Sequence, residues 1–303
     1  MAKDIGKVAV LMGGWSAERN VSLSSGSAVL AALTNAGVDA HGIDVGRDIA
    51  DVLTKGQFDC AFNMVHGRGG EDGVLQGVLE TLQLPYTGCG ILASAISMDK
   101  LVTKRMWQAV GLPTAKYKLL TADSDFDAVV DELGLPLIVK PALEGSSIGM
   151  SKVEQKQALQ AAYELAAPYG EVFVEEWLSG DEFTVALLDG EVLPPIRLEV
   201  QSAFYDYEAK YQSNDTQYHC PCGLNRTEET TLKQLAKQAF NTVQGKGWGR
   251  VDVMQNTQGD FVLIEVNTVP GMTDHSLVPM AAKAIGLSFE QLVVRIVETI
   301  GST

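Results

Sequence analysis

Gly249-Arg-Val-Asp-Val-Met254 and Phe261-Val-Leu-Ile-Glu-Val-Asn267 are two short apolar runs separated by the polar stretch Gln255-Asn-Thr-Gln-Gly-Asp260. In a strand, alternate residues share a face. Arg250, Asp252 and Met254 then lie on one side of the first run, with Val251 and Val253 on the other. In the second run Leu263, Glu265 and Asn267 share a side, opposite Val262, Ile264 and Val266. A two-residue turn at Gln258-Gly259 predicts Asp252 directly across from Glu265 and Arg250 across from Asn267. Two directly opposed carboxylates repel each other, so this register makes little sense without a cation. Oxygen ligands from Asp, Glu and Asn suit magnesium, which takes one or two carboxylates and completes its shell with substrate phosphates. The plain alternative is a solvated carboxylate pair on an edge hairpin.

Working outward, Lys140 ends the apolar run Leu137-Ile-Val and opens onto Pro141-Ala-Leu-Glu-Gly-Ser-Ser-Ile-Gly149. An unpaired ammonium at the end of a buried strand is costly, and a Gly/Ser loop can wrap an anion with its N–H groups and hydroxyls. Lys140 plus the loop reads as a phosphate grip, against the blander reading of a surface lysine beside a flexible turn. Neither G-x-x-x-x-G-K-[ST] nor G-x-G-x-x-G after the first strand is present, which argues against a Walker loop and a dinucleotide site. Lys100 at a helix start opposes the dipole and hints at an anion; a solvated lysine is the alternative. Val172-Phe-Val-Glu175-Glu-Trp-Leu178, followed by Glu182, offers strand-end backbone and carboxylates for an adenine edge and a ribose, or is an ordinary strand and turn. Glu18, after the first strand, suits a small ammonium but equally suits a helix N-terminus. His66 stands in a glycine-rich strand-end loop. His219, Cys220 and Cys222 crowd together without a second ligand pair, so a zinc site has little support.

Alternation of strand and helix in the first third predicts a parallel sheet with helices on its faces: strand Val8 to Met12, helix Val21 to Ala36, strand Phe58 to Val65, helix Gly73 to Leu82. Its working loops should lie at the carboxyl ends of the strands, Gly13 to Arg19 and His66 to Gly73. A second unit opens near Met98, with two helices on one face of a small sheet. A third begins near Glu182, with an Asp189-Gly190 hairpin. The expected class is α/β (α+β), with units at 1–97, 98–181 and 182–303. Ser202 to Gly223 has no periodicity and reads as a lid.

Composition narrows the partners. The 303 residues carry 23 Lys+Arg against 38 Asp+Glu, a net charge of −15 that repels phosphate backbones and argues against a nucleic-acid partner. Four cysteines, Cys60, Cys89, Cys220 and Cys222, match no disulfide framework and fit a reducing compartment. The first apolar run, Val8 to Met12, is too short for a signal peptide or a span. A cytoplasmic protein without a membrane partner is expected.

Taken in order, Gly13-Gly-Trp-Ser-Ala-Glu-Arg19, His66-Gly-Arg-Gly-Gly-Glu-Asp-Gly73, Lys140 to Gly149, Glu175 to Glu182, Phe204-Tyr-Asp-Tyr-Glu-Ala-Lys-Tyr211, Gly249-Arg-Val-Asp-Val253 and Glu265-Val-Asn-Thr-Val-Pro-Gly-Met-Thr-Asp-His-Ser-Leu277 closely resemble the D-alanine–D-alanine ligases of the ATP-grasp superfamily. The resemblance implies an ATP-grasp fold and ADP-forming ligation of two D-alanines through an acyl-phosphate, supplying a peptidoglycan precursor. It implies that Lys100 and Lys140 contact ATP phosphates, with Ser146 beside them, and that Glu175, Glu176, Trp177 and Leu178 bracket adenine, with Glu182 on the ribose. Asp252, Glu265 and Asn267 would bind two magnesium ions (manganese is the substitute), with Glu265 bridging. Glu18 would hold the ammonium of the first D-alanine, with His66 nearby and Tyr205 on the substrate side of the lid. Ser147, or Ser146, would reach toward Tyr211, and Lys210 would sit near the transferred phosphoryl group. Arg250 and the Gly271 N–H would stabilise the oxyanion, and Ser276 and Leu277 would hold the second carboxylate. Asn20, Glu176 and Val269 depart from the usual family pattern, Glu176 standing where a lysine is common. The resemblance also implies a homodimer. The competing readings are another ATP-grasp carboxylate–amine or D-alanine–D-lactate ligase, and a nucleotide-binding module without chemistry.

Overall fold

Apolar alternation along the chain produces three sheets among the described residues. The computed structural model describes residues 5–199, 216–273 and 276–300. The first sheet is parallel, in the order β2-β1-β3: β1 is Lys7–Gly13, β2 Asp39–Val45 and β3 Cys60–Asn63. Helix α1 (Arg19–Asn35) crosses from β1 to β2, and α2 (Ile49–Gly56) from β2 to β3. Helices α3 (Val74–Thr81) and α4 (Ile91–Met98) follow. The expected α/β start is therefore present, with β2, α2 and α4 added to the elements read from sequence. β2 escaped notice because DAHGIDV is a mostly exposed, polar edge strand with one buried residue.

The second sheet is antiparallel, in the order β4-β7-β5-β6: β4 is Tyr117–Leu120, β5 Leu137–Pro141, β6 Ser151–Val153 and β7 Val172–Glu176. Alternation sends Leu137, Val139, Val172 and Val174 to one face, where α6 (Phe126–Leu133) and α7 (Leu159–Ala166) cover them through Val130, Leu159, Ala162 and Ala166. Lys140, Phe173 and Glu175 take the other face, under α5 (Lys100–Ala109).

The third sheet runs β11-β10-β8-β12-β13, with β9 on the edge of β8: β8 is Glu182–Leu188, β9 Glu191–Val192, β10 Ile196–Glu199, β11 Gln217–His219, β12 Trp248–Gln255 and β13 Phe261–Asn267. Asp189 and Gly190 both have positive φ (51° and 75°), which a tight hairpin turn demands. Helix α8 (Arg226–Thr242) packs Leu232, Ala236 and Ala239 on Phe183, Val185, Val251 and Val253. It begins at Arg226 because Asn225 and Glu228 form a reciprocal capping box. The opposite face shares one core with the first sheet: Ala186, Leu188, Ile196 and Trp248 meet Val10, Phe62 and Met64, closed by α9 (Leu277–Ala284) and α10 (Phe289–Glu298). The lid read at Ser202 to Gly223 lies largely outside the described residues, but its last part includes β11, paired antiparallel to β10. No single helix among the described residues is long and apolar enough to cross a membrane.

Candidate functional site

Strand β12 is flanked by β8 and β13, so Asp252 lies opposite Thr184 on one side and Glu265 on the other. Arg250 lies across from Asn267. This is the expected register, reached by a different route. The turn is wider than two residues: Asn256 closes it by accepting from the N–H groups of Gln258 and Asp260, and Gln255 pairs with Phe261. A β-bulge between Asp252 and Val253 then skips Ile264 and restores the Asp252–Glu265 pairing. The bulge also breaks the strict alternation expected for β13. Leu263 packs into the core with Val251 and Val253, whereas Ile264 and Glu265, consecutive in sequence, both face the cavity. Bulges re-aim side chains beside sites in this way.

Asp252, 7% exposed, is held from three directions. Arg250 grips it with two bonds, Nε to Oδ1 at 2.8 Å and Nη2 to Oδ2 at 2.6 Å. Asn267 donates to Oδ2 at 2.9 Å and Thr184 to Oδ1 at 2.7 Å. Glu265 has Lys100 Nζ 3.7 Å away. The donor set fits a hard divalent cation: two opposed carboxylates and an amide, all borne by rigid strands. No group of three or more His, Cys, Asp and Glu side chains placed for a metal occurs among the described residues. His219 is paired instead with Glu199 at 2.9 Å.

The hairpin forms one wall of a cavity of about 420 Å³. Lys100, Lys140 and the loop Glu144 to Ser147 form another, and Trp177, Leu178 and Glu182 contribute to its lining. Ser146 and Ser147 both adopt positive φ (50° and 60°), the kind of backbone strain that gathers at ligand loops. Lys100 ties itself to that loop by donating to the Glu144 carbonyl at 2.7 Å. Glu175 and Glu176 do not reach the cavity lining. Glu176 turns to accept from the Lys116 N–H at 3.0 Å. Glu175 is buried between Lys140 (2.5 Å) and Lys104 (2.6 Å).

The loops after β1 and β3 reach the same loop. Ser22 bonds the Gly13 N–H and the Met64 carbonyl, fixing the start of α1 against both strand ends. Ser16 Oγ donates to the His66 carbonyl at 2.7 Å and accepts from the Glu18 N–H at 3.1 Å. Glu18 then receives the Ser146 hydroxyl at 2.5 Å. Arg68 reaches Glu144 at 3.1 Å. Burial drives the His66 imidazole down to about 4, a backbone bond at Val269 opposing and Arg250 adding to the shift. Burial also pushes the Glu71 carboxyl up to about 8, helped by the charges of Glu18 and Glu265 and opposed by the Gly67 N–H, which it accepts at 2.6 Å. Gly271 sits beside Ser276, whose Oγ accepts from the Thr273 N–H at 2.9 Å. Ser276, the N-cap of α9, makes no side-chain cap hydrogen bond, and the Leu277 side chain is buried in the core. Tyr205, Lys210 and Tyr211 lie outside the described residues.

Family models for the D-ala D-ala ligase C-terminus and N-terminus match residues 106–298 and 47–89. The chain belongs to the D-alanine–D-alanine ligase family. The ligase of Ectopseudomonas mendocina is 60% identical over 97% of this chain and 94% of its own length, and that of Stutzerimonas stutzeri 59% over 98% and 95%. The crystal structure of Bacillus anthracis D-alanine–D-alanine ligase complexed with ATP superposes with a TM-score of 0.85 at 31% identity, covering 97% of both chains. VanG D-Ala:D-Ser ligase from Enterococcus faecalis superposes at 0.83, also with 31% identity, over 97% of this chain and 99% of that one. The ATP-grasp fold expected of this ligase family is thus the fold observed.

Lys104, Thr184, Arg68 and Glu71 were not legible as site residues in the sequence. Glu71 stood within a quoted motif, and its signal was an acid in a glycine-rich strand-end loop. Thr184 could be found only by pairing β8 with β12.

Proposed function

We propose that this chain is an ATP-dependent ligase that joins two D-alanines into D-alanyl-D-alanine in the cytoplasm, as a peptidoglycan precursor. The observation that carries this reading is the single cavity bounded by Lys100, Lys140 and the Ser146 loop on one side and by Asp252 and Glu265 on the other, with Glu18 bonded to its rim at Ser146.

Lys100 and Lys140 bind the nucleotide phosphates, with the strained Ser146-Ser147 loop beside them. Trp177, Leu178 and Glu182 line the nucleoside end. Asp252, Glu265 and Asn267 would hold magnesium or manganese, which supplies charge neutralisation at the phosphates. Glu18 takes the ammonium of the first D-alanine, whose carboxylate accepts the terminal phosphoryl group as ADP departs. The amine of the second D-alanine attacks the acyl carbon, and phosphate leaves. The N–H groups at the start of α9, which Ser276 does not cap with its side chain, suit the carboxylate of that second D-alanine. Arg250, which grips Asp252 with two bonds, and the Gly271 N–H stabilise the oxyanion. Tyr205, Lys210 and Tyr211 serve the substrate side from the lid.

A homodimer is part of this reading, supported by the exposed Val74, Ile91 and Leu92 on α3 and α4. The cytoplasm suits four cysteines that are all free. The units 1–97, 98–181 and 182–303 are proposed as the bodies that enclose the nucleotide. The test is an ADP-release assay with ATP and magnesium across D- and L-amino acids and D-lactate, with the product identified by mass. D-Alanyl-D-alanine should form. The similarity to a D-Ala:D-Ser ligase makes D-serine the informative competitor: equal rates with D-alanine and D-serine would overturn the specificity, and no ADP release with any amino acid would overturn the activity.

A further inference from the structure

Lys104 lies on α5, beneath the nucleotide cavity and outside its lining, and is 2% exposed. A lysine this deep requires a reason, because an unpaired buried ammonium is expensive. Its Nζ lies 2.6 Å from Glu175 Oε2 and donates to Thr114 Oγ1 at 2.7 Å, with the Tyr117 ring centroid 5.7 Å away. The other Glu175 oxygen lies 2.5 Å from Lys140. Strand register explains this chain of charges. Glu175 pairs with Ile138, so Lys140, two residues further along β5, is its diagonal neighbour on the same face. Helix α5 then lowers Lys104 onto that face.

Of the three, only Lys140 lines the cavity. A buried carboxylate beside a single lysine would neutralise it and withdraw it from a ligand. With a second lysine on the far side of Glu175, the cluster Lys104–Glu175–Lys140 carries one net positive charge, presented at the cavity wall. Burial alone would push the Glu175 carboxyl up, but the two ammoniums bring it down to about 2, so the acid stays ionised. Burial lowers the Lys104 ammonium and the charge of Lys140 adds to that, while Glu175, with Glu176 further off, opposes the shift.

We propose that Lys104 is a positioning residue for nucleotide phosphate: by satisfying the buried carboxylate of Glu175 from behind, it leaves the charge of Lys140 directed at the phosphates. The inference rests on the nucleotide reading of the cavity and assigns a role to a side chain that no nucleotide in the cavity would touch.

The test is the affinity gained by adding phosphates, read as the ratio of the adenosine and ADP dissociation constants. It is measured in EDTA so that no divalent cation contributes. Four proteins form a ladder of cluster charge: E175Q, the wild type, the double variant K104M/E175Q and K104M. The ratio should fall roughly tenfold from the wild type to K104M, the size of one charged hydrogen bond to phosphate. It should return to within about threefold of the wild type in the double variant, where Lys140 again faces a neutral neighbour. E175Q should exceed the wild type. Adenosine corrects for any change at the adenine end, and melting curves check folding. A purely structural Lys104 would leave the ratio unchanged in K104M, or leave the double variant no better than K104M; either result overturns the proposal. Should K104M fail to fold, the double variant must still show a lower ratio than E175Q, and equality there overturns it. A wild-type ratio near one would sink the nucleotide reading itself, whatever the variants do.

Discussion

Two buried carboxylates flank the cavity, and their surroundings differ in kind. Glu175 on β7 has an ammonium on each side and no acid opposite. Asp252 on β12 has a guanidinium, an amide and a hydroxyl as donors, yet faces Glu265 across the hairpin. The first arrangement satisfies its carboxylate and leaves one positive charge over. The second leaves two acids opposed, with Arg250 and the more distant Lys100 as counter-charges. A carboxylate between lysines stiffens a phosphate grip; a carboxylate opposite another is poised for a cation.

The strongest way to break that contrast is to neutralise each acid in turn. D252N and E265Q should each lose turnover by roughly a thousandfold, whereas E175Q should stay within about tenfold of the wild type. Equal losses in a steady-state assay would erase the distinction. R250A should cost several hundredfold in turnover, about the loss of one oxyanion donor, with ATP affinity kept within roughly threefold. If ATP affinity collapses with turnover, the Asp252 pair and not the transition state is what Arg250 serves.

His66 lies in the seam between the N-terminal loops and the hairpin wall. Its imidazole titrates near 4 in the folded chain, against 6.5 for an ordinary histidine. Between those values the unfolded chain binds more protons, so the His66 contribution is intact above pH 6.5 and lost as the pH falls toward 4. Relative to H66N, the wild type should lose up to about 3 kcal/mol across that window in denaturant titrations. A constant difference from pH 7 to 4 would contradict the buried, neutral imidazole. The smallest effect is expected at the rim. S146A removes the hydroxyl on Glu18 and should raise the D-alanine KM about tenfold while changing the ATP KM by no more than about threefold.

How much of this was legible varied with how local the cause was. The pairing of Asp252 with Glu265 was readable from alternation, although the turn assumed for it was too tight and the bulge at Ile264 supplied the compensating residue. The phosphate loop was readable because Gly and Ser cluster after a strand ending in lysine. Helix α6 follows its periodicity from Phe126 to Leu133. By contrast, the Glu175 side chain was expected at adenine and lies beneath Lys140, because its partner Lys104 comes from a helix 71 positions earlier that only tertiary packing lays over the sheet. The expected reach of Ser147, or Ser146, toward Tyr211 falls outside the described residues, while Ser146 itself bonds Glu18. Edge strands such as β2 and β11 carry too few buried residues to mark themselves.

The central claim is that Asp252 and Glu265 share a divalent cation that carries nucleotide phosphate. Manganese binding followed by electron paramagnetic resonance, with ADP present, tests it most directly. The wild type should bind the ion, and D252N and E265Q should each bind it at least about tenfold more weakly while remaining folded. Manganese affinity unchanged by both substitutions would contradict the account.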